Sequence, residues 1–185
     1  MGALALTGAV PSQAAEPWGL EDLFARFARI PNSNARFTET REVGMLTAPL
    51  ESSGTLTYRR PDFLEKRTLQ PQPEGLRLEG DRLTLTQADG MSRILSVSAM
   101  PEIQTYVESI RATLRGDVPT IMRFYEVDLE GSLQDWRMRL TPRAEEARKT
   151  VQRIVIAGRD ATIRRIEVLQ ADGDRSIMTI QPDPA

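Results

Sequence analysis

The stretch SSGTLTYRRPDFLEK, Ser52 to Lys66, decides the fold: it reads as a strand, a sharp stop and a second strand. Side chains alternate faces along a strand, so Leu56 and Tyr58 mark an apolar face and Thr55, Thr57 and Arg59 the opposite one. A regular strand would carry Arg60 onto the apolar face as well. A guanidinium is costly to bury without a partner. Arg60 therefore either meets acceptors on that face, or lies at the strand's end and snorkels to water. Pro61 suits a turn or a strand start.

Downstream, EGLRLEGDRLTLTQADGMSRILSV continues the pattern, with Gly80-Asp81 and Asp89-Gly90 as turn signals between three short strands. Leu76 and Leu78, then Leu83 and Leu85, alternate with polar residues, which predicts an antiparallel meander with one apolar face. Upstream, WGLEDLFARFARI places Leu20, Leu23, Phe24, Phe27 and Ile30 on one helical stripe that Pro31 and Asn32 end. NARFTETREVGML then alternates loosely. At Pro101 the period changes: Ile103, Tyr106, Val107, Ile110 and Leu114 share a helical stripe closed by Gly116. Asp117 can cap a second short helix, DVPTIMRFYEV, with Val118, Ile121, Met122 and Tyr125 at helical spacing. Strands resume to the end. The pattern predicts about eleven strands and about three helices, an α+β chain with no internal linker or repeat. A sheet of about eleven strands tends to curl or close, and each helix has one apolar stripe and no helical partner. All three are therefore expected on the concave side, over either a cavity or a packed core.

Composition narrows the chemistry. The chain is 185 residues long, 40% hydrophobic and 27% charged, which is globular in type. A formal net charge of −2 argues against a general nucleic-acid binder, which relies on neutralising phosphates. There is no histidine, and hence no Ser-His-Asp triad, imidazole base or histidine-based zinc site. There is no cysteine, which removes thiol nucleophiles, iron–sulfur clusters and disulfides. Lys66 and Lys149 are the only lysines. The carboxylate pairs Glu21-Asp22 and Glu145-Glu146 are adjacent in sequence and do not face each other on a helix, so they read as solvated surface. ADGDRS, Ala171 to Ser176, lacks the remaining ligands of a calcium loop and reads as a turn. No catalytic set, metal site or cofactor is expected, and the chain is read as not an enzyme.

The opening ALALTGAV, Ala3 to Val10, is a short apolar run followed by PSQAAE, with Ser12 and Ala14 at the −3 and −1 positions of a cleavage before Ala15. Residues 1–15 are expected to be a residual secretory leader or a disordered segment, and residues 16–185 one domain. The run is too short to span a bilayer, and export to a soluble compartment is expected.

The order of elements, with SGTLTYRRPDFLEKRTLQP and EGLRLEGDRLTL, resembles the outer-membrane lipoprotein carrier (LolA-like) family. Its strand motif G-x-L-x-x-x-R-P falls on Gly54, Leu56 and Arg60-Pro61, followed by Phe63-Leu64, Pro71 and the hairpin Gly80 to Leu83. Trp18, Leu20 and Leu23, then Phe37 and Glu39, then Trp136, Leu140 and Pro142 extend the match over residues 18 to 181. The resemblance implies an unclosed half-barrel of antiparallel strands with a helical lid, carrying acylated lipoprotein or other lipid through the periplasm. It implies partners that load and unload the cargo, an inner-membrane donor and an outer-membrane acceptor; we expect a monomer. It further implies that Arg60 latches the lid through hydrogen bonds to lid-helix carbonyls. The expected cavity lining is Leu23, Phe24, Phe27, Leu56, Tyr58, Leu83, Leu85, Tyr106, Val107, Ile110, Ile121, Met122 and Tyr125. The central hairpin DRLTLTQADGMSRIL departs from the family's aromatic-rich one, which implies a different pocket lining. Two other functions compete: a protein-interaction or envelope-sensing module of the same fold with a filled core, and a carboxylate-dependent enzyme on acyl or glycan substrates.

Overall fold

Alternation sets the sheet. In β1 (Asn32–Glu42), Ala35, Phe37 and Glu39 are buried while Arg36 and Thr38 are exposed. Their direct partners on β2 (Leu50–Arg59) are Leu56, Gly54 and Ser52, so one face continues from strand to strand. The computed structural model describes residues 18–183, without the side chains of residues 101, 102, 105 and 106. The expected leader and Tyr106 lie outside what is described.

Two meanders meet in the middle of one sheet. The first runs β1, β2, β3 (Phe63–Gln70), β4 (Glu74–Glu79), β5 (Arg82–Thr86) and β6 (Ser92–Ser96). The second runs β7 (Tyr125–Ser132), β8 (Asp135–Pro142), β9 (Val151–Arg159), β10 (Thr162–Gln170) and β11 (Arg175–Pro182). β1 pairs with β11, giving an 11-stranded order β6-β5-β4-β3-β2-β1-β11-β10-β9-β8-β7 in which every described pairing is antiparallel. The sheet does not close, and its two edges, β6 and β7, are consecutive in sequence. The chain between them must cross from edge to edge. That crossing carries α2 (Pro101–Arg115) and α3 (Val118–Phe124), which with α1 (Leu20–Phe27) cover part of the inner face. The half-barrel with a helical lid is the architecture expected from the sequence.

Local chemistry fixes the helix ends. The Asp22 carboxylate accepts from the Gly19 N–H at 2.9 Å. Gly116 adopts the left-handed conformation (φ 76°) that ends α2. Asp117 caps α3 by accepting from the Thr120 N–H at 3.0 Å. Two details differ from expectation. α3 stops at Phe124, so Tyr125 begins a strand: its phenol is buried and its direct strand partner is Pro142. A fourth helix, α4 (Glu145–Arg148), is a single turn with Glu145 and Glu146 exposed. Four residues are too few to show a helical period.

The inner face carries two hydrophobic clusters. One packs Leu23, Phe24, Phe27, Ile121, Tyr125 and Trp136 with Met138, Leu140, Ile154 and Ile156, filling the half over β7, β8 and β9. Phe27 meets Trp136 edge to face at 5.8 Å between centroids. The other packs Leu78, Leu83, Val97 and Val107 over β4 and β5. α2 joins them, giving Ala112 to the first and Val107 to the second. Among the described residues no helix is long and apolar enough to cross a membrane.

Candidate functional site

Pairing registers sort the inner face into rows. One row runs Tyr58, Leu64, Leu78, Leu83, Leu95 across β2 to β6. α2 covers it: Tyr58, Leu78 and Leu83 are buried, and the Tyr58 hydroxyl donates to the Leu114 carbonyl at 3.4 Å. Burial pushes the Tyr58 phenol above its ordinary value of 10.0, although nearby Arg60 and Arg115 pull the other way. Arg111, buried on α2, fixes the helix to the hairpin below by donating to the Gly80 carbonyl, and pairs with Glu108 at 2.9 Å.

The next row runs Leu56, Lys66, Leu76, Leu85, Arg93. Among the described residues it is left partly uncovered. Leu56 and Leu85 are half-buried, Leu76 keeps 40% of its surface and Arg93 is exposed. A sheet face turned inward normally hides its leucines, so this row is an incompletely covered apolar strip next to the row that α2 covers.

Lys66 interrupts it. From β3 its chain reaches past β2 to residues of β1. The ammonium then sits 4.9 Å from the centre of the Phe37 ring and donates to the Glu39 carboxylate. The other Glu39 oxygen accepts from the Ser176 hydroxyl at 2.9 Å. Burial alone would raise the Glu39 carboxyl, but Lys66, Ser176 and Arg41 together hold it below its ordinary value of 4.5.

The residues singled out from the sequence divide by burial into four groups, with Arg60 apart from them. Leu23, Phe24, Phe27, Ile121 and Tyr125 are at most 2% exposed and form the solid core under α1 and α3. Tyr58 and Leu83 belong to the covered row, with Val107 of α2 packed over it, and Leu56 and Leu85 to the open one. Ile110 and Met122 are exposed, at 39% and 50%. Arg60 follows the last residue of β2, is exposed, and donates from Nη1 to the carbonyl of Ala28, the C-cap of α1. It is a strand-end residue that also reaches one helix carbonyl. Lys66, Glu39 and Arg41 were not among the expected site residues. The signal was present: Lys66 is one of two lysines and shares strand parity with Leu64.

The far end of the sheet shows a second pattern. Met45 and Leu46 in the β1–β2 loop, Leu50, Leu69, Leu76 and Met91 are all exposed, and antiparallel alternation places them at the same end of the strands. Met45 is 95% exposed. An open concavity of about 210 Å³ lies there, lined by Glu42 to Leu46 without Met45, Thr47 to Pro49 and Gly173.

The family model for outer membrane lipoprotein carrier protein, LolA-like, matches residues 12–181. The chain belongs to this LolA-like family. Among solved structures, a LolA superfamily protein of Nitrosomonas europaea is 11% identical with TM-score 0.46, covering 89% of this chain and 93% of that one. The MucA/MucB complex of Pseudomonas aeruginosa matches at 13% identity and TM-score 0.47, over 90% of this chain and 58% of that one. The CwlD amidase of Clostridioides difficile in complex with the GerS lipoprotein matches at 15% identity and TM-score 0.40, over 83% and 85%. No curated protein matches the chain.

Proposed function

We propose that this LolA-like chain binds an acyl chain of a lipoprotein or other lipid on its inner face and shuttles it through the periplasm. The observation that carries the reading is the partly uncovered row Leu56, Leu76, Leu85 next to the row that α2 covers. Exposed leucines on an inward sheet face are unfavourable by about 25 cal/mol per Å² unless something apolar covers them. An acyl chain does so, and no catalytic residue is needed.

Transfer requires that the binding be weak enough to reverse. Burying about 14 methylenes at about 0.8 kcal/mol each is worth roughly 11 kcal/mol, which would make release very slow. A lid whose closed state competes with cargo offsets part of that energy. Arg60 is the proposed latch, acting through Ala28.

A second reading rests on the other half of the inner face. The core under α1 and α3 is filled by Phe24, Phe27 and Trp136, which favours a protein-interaction or sensing module. Native mass spectrometry of protein purified without detergent separates the two. Bound acyl masses lost on organic extraction support the carrier. A bare chain that also takes up no added acyl probe supports the interaction module.

A further inference from the structure

The open row carries charge in a particular place, and this bears on which amphiphile it receives. Lys66 stands between Leu56 and Leu76, with Leu85 and Arg93 beyond. Its side chain keeps 29% of its surface, against 10% for Glu39. Among the described residues the ammonium has one hydrogen-bond acceptor, a Glu39 oxygen, out of three donors available to a lysine. Glu39, by contrast, has both oxygens engaged, by Lys66 and Ser176. Arg41 follows on the same face of β1, is exposed, and is near enough for its charge to act on Glu39. Two cations and one carboxylate leave one net positive charge at the β1 side of the row. Toward β6 the row holds Leu76 and Leu85, two strand spacings or about 10 Å from Lys66, before it reaches Arg93.

We propose that this open strip takes a single-chain amphiphile with an anionic head. Lys66 and Arg41 receive the head, and the tail lies over Leu76 and Leu85. The inference rests on the acyl-binding reading above and names the ligand class for that site. A purely structural Glu39–Lys66 crosslink needs no solvent access, because a buried pair is often replaceable by apolar side chains at no loss of stability. Access at Lys66 is what a head-group contact requires. A phosphate and a carboxylate share the necessary chemistry, since both accept charge-assisted hydrogen bonds from ammonium and guanidinium groups.

The test is calorimetric binding of dodecanol, dodecanoate, dodecyl phosphate and dodecyltrimethylammonium to the full chain, all below their micelle-forming concentrations. The anionic compounds are expected to bind at least about tenfold more tightly than dodecanol, and the cation more weakly still. The ratio of dodecanoate to dodecyl phosphate tells which head is preferred. In the double variant Glu39→Gln, Lys66→Met, which leaves no buried charge unpaired, the preference is expected to fall but not to vanish, because Arg41 remains, while dodecanol binding persists. Arg41→Gln disturbs no ion pair given for the described residues and is expected to reduce the preference alone, which keeps the test open if the double variant fails to fold. Arg93→Gln is expected to leave it intact. If dodecanol binds as tightly as the anions, or Arg93→Gln rather than Arg41→Gln removes the preference, the head site is overturned and acyl binding stands. If no dodecyl compound binds, both readings fall.

Discussion

The guanidinium of Arg60 donates to the carbonyl of Ala28, and Ala28 is also where the end of α2 rests on α1. A β-carbon on Gly116, the C-cap of α2, would lie 2.7 Å from that of Ala28. Arg60 thus bears on α2 through the last turn of α1, where a cation is favoured by the helix dipole. For this exposed side chain the bond is worth about 1 kcal/mol, or about fivefold in a lid equilibrium. Arg60→Leu is expected to tighten acyl binding by about that factor and to slow release to vesicles in proportion. Unchanged affinity and unchanged transfer would remove Arg60 from the mechanism.

Glu39 sets an acid dependence. Its folded pKa lies below the ordinary value of 4.5, held there by Lys66 and Ser176 against the cost of burial. A depressed carboxylate contributes stability that is complete above its unfolded value and is lost as pH falls through the folded one. Urea midpoints of the wild type are therefore expected to fall more steeply on acidification through the carboxylate range than those of Glu39→Gln. Parallel curves would mean that the pair adds nothing in the folded state.

The meander was legible because Leu56 and Tyr58 in β2, Leu76 and Leu78 in β4, and Leu83 and Leu85 in β5 alternate with polar residues, with Gly80-Asp81 marking a turn. The helices α1 and α2 were legible by their stripes. What the stripe could not show is which part of it faces protein: Phe24 and Ile110 have the same pattern, yet one is fully buried and the other 39% exposed. That difference comes from where α2 crosses the sheet, a tertiary fact. The Arg60 question was also tertiary, since β2 ends one residue earlier and the alternation that would have turned Arg60 inward stops with it. Lys66 was missed because a lone lysine in a strand reads as solvent-facing, and its partner Glu39 is two strands away.

Gly54 sits where β2 comes close to the β3 backbone. A β-carbon there would sit 1.9 Å from the Arg67 carbonyl oxygen as well as against Phe37. Backbone cannot give way as a side chain can, and β2 and β3 already shift register between Ser53 and Gly54. Gly54→Ala is expected to cost about 2–4 kcal/mol in urea unfolding. A cost within about 0.5 kcal/mol would show that the register adjusts freely at this point.

Arg111 tests what holds α2 in place. Its guanidinium reaches the Gly80 carbonyl across the β4–β5 hairpin and Glu108 on its own helix, while its Nε has no hydrogen-bond partner among the described residues. Arg111→Met keeps the aliphatic bulk and removes both contacts; Glu108 retains Arg115 at 3.4 Å. The loss of a tether to a charged donor costs about 1.5–3 kcal/mol where the geometry is rigid. α1 and the β7 to β9 core do not depend on it, because Phe24, Phe27 and Trp136 pack there without α2's guanidinium. Amide exchange in Arg111→Met is therefore expected to speed up in α2 and in the Gly80 turn, with α1 and β8 unchanged. Equal acceleration in α1 would mean that the lid opens as one unit, with Val107 and Ala112, rather than Arg111, holding α2 on the sheet.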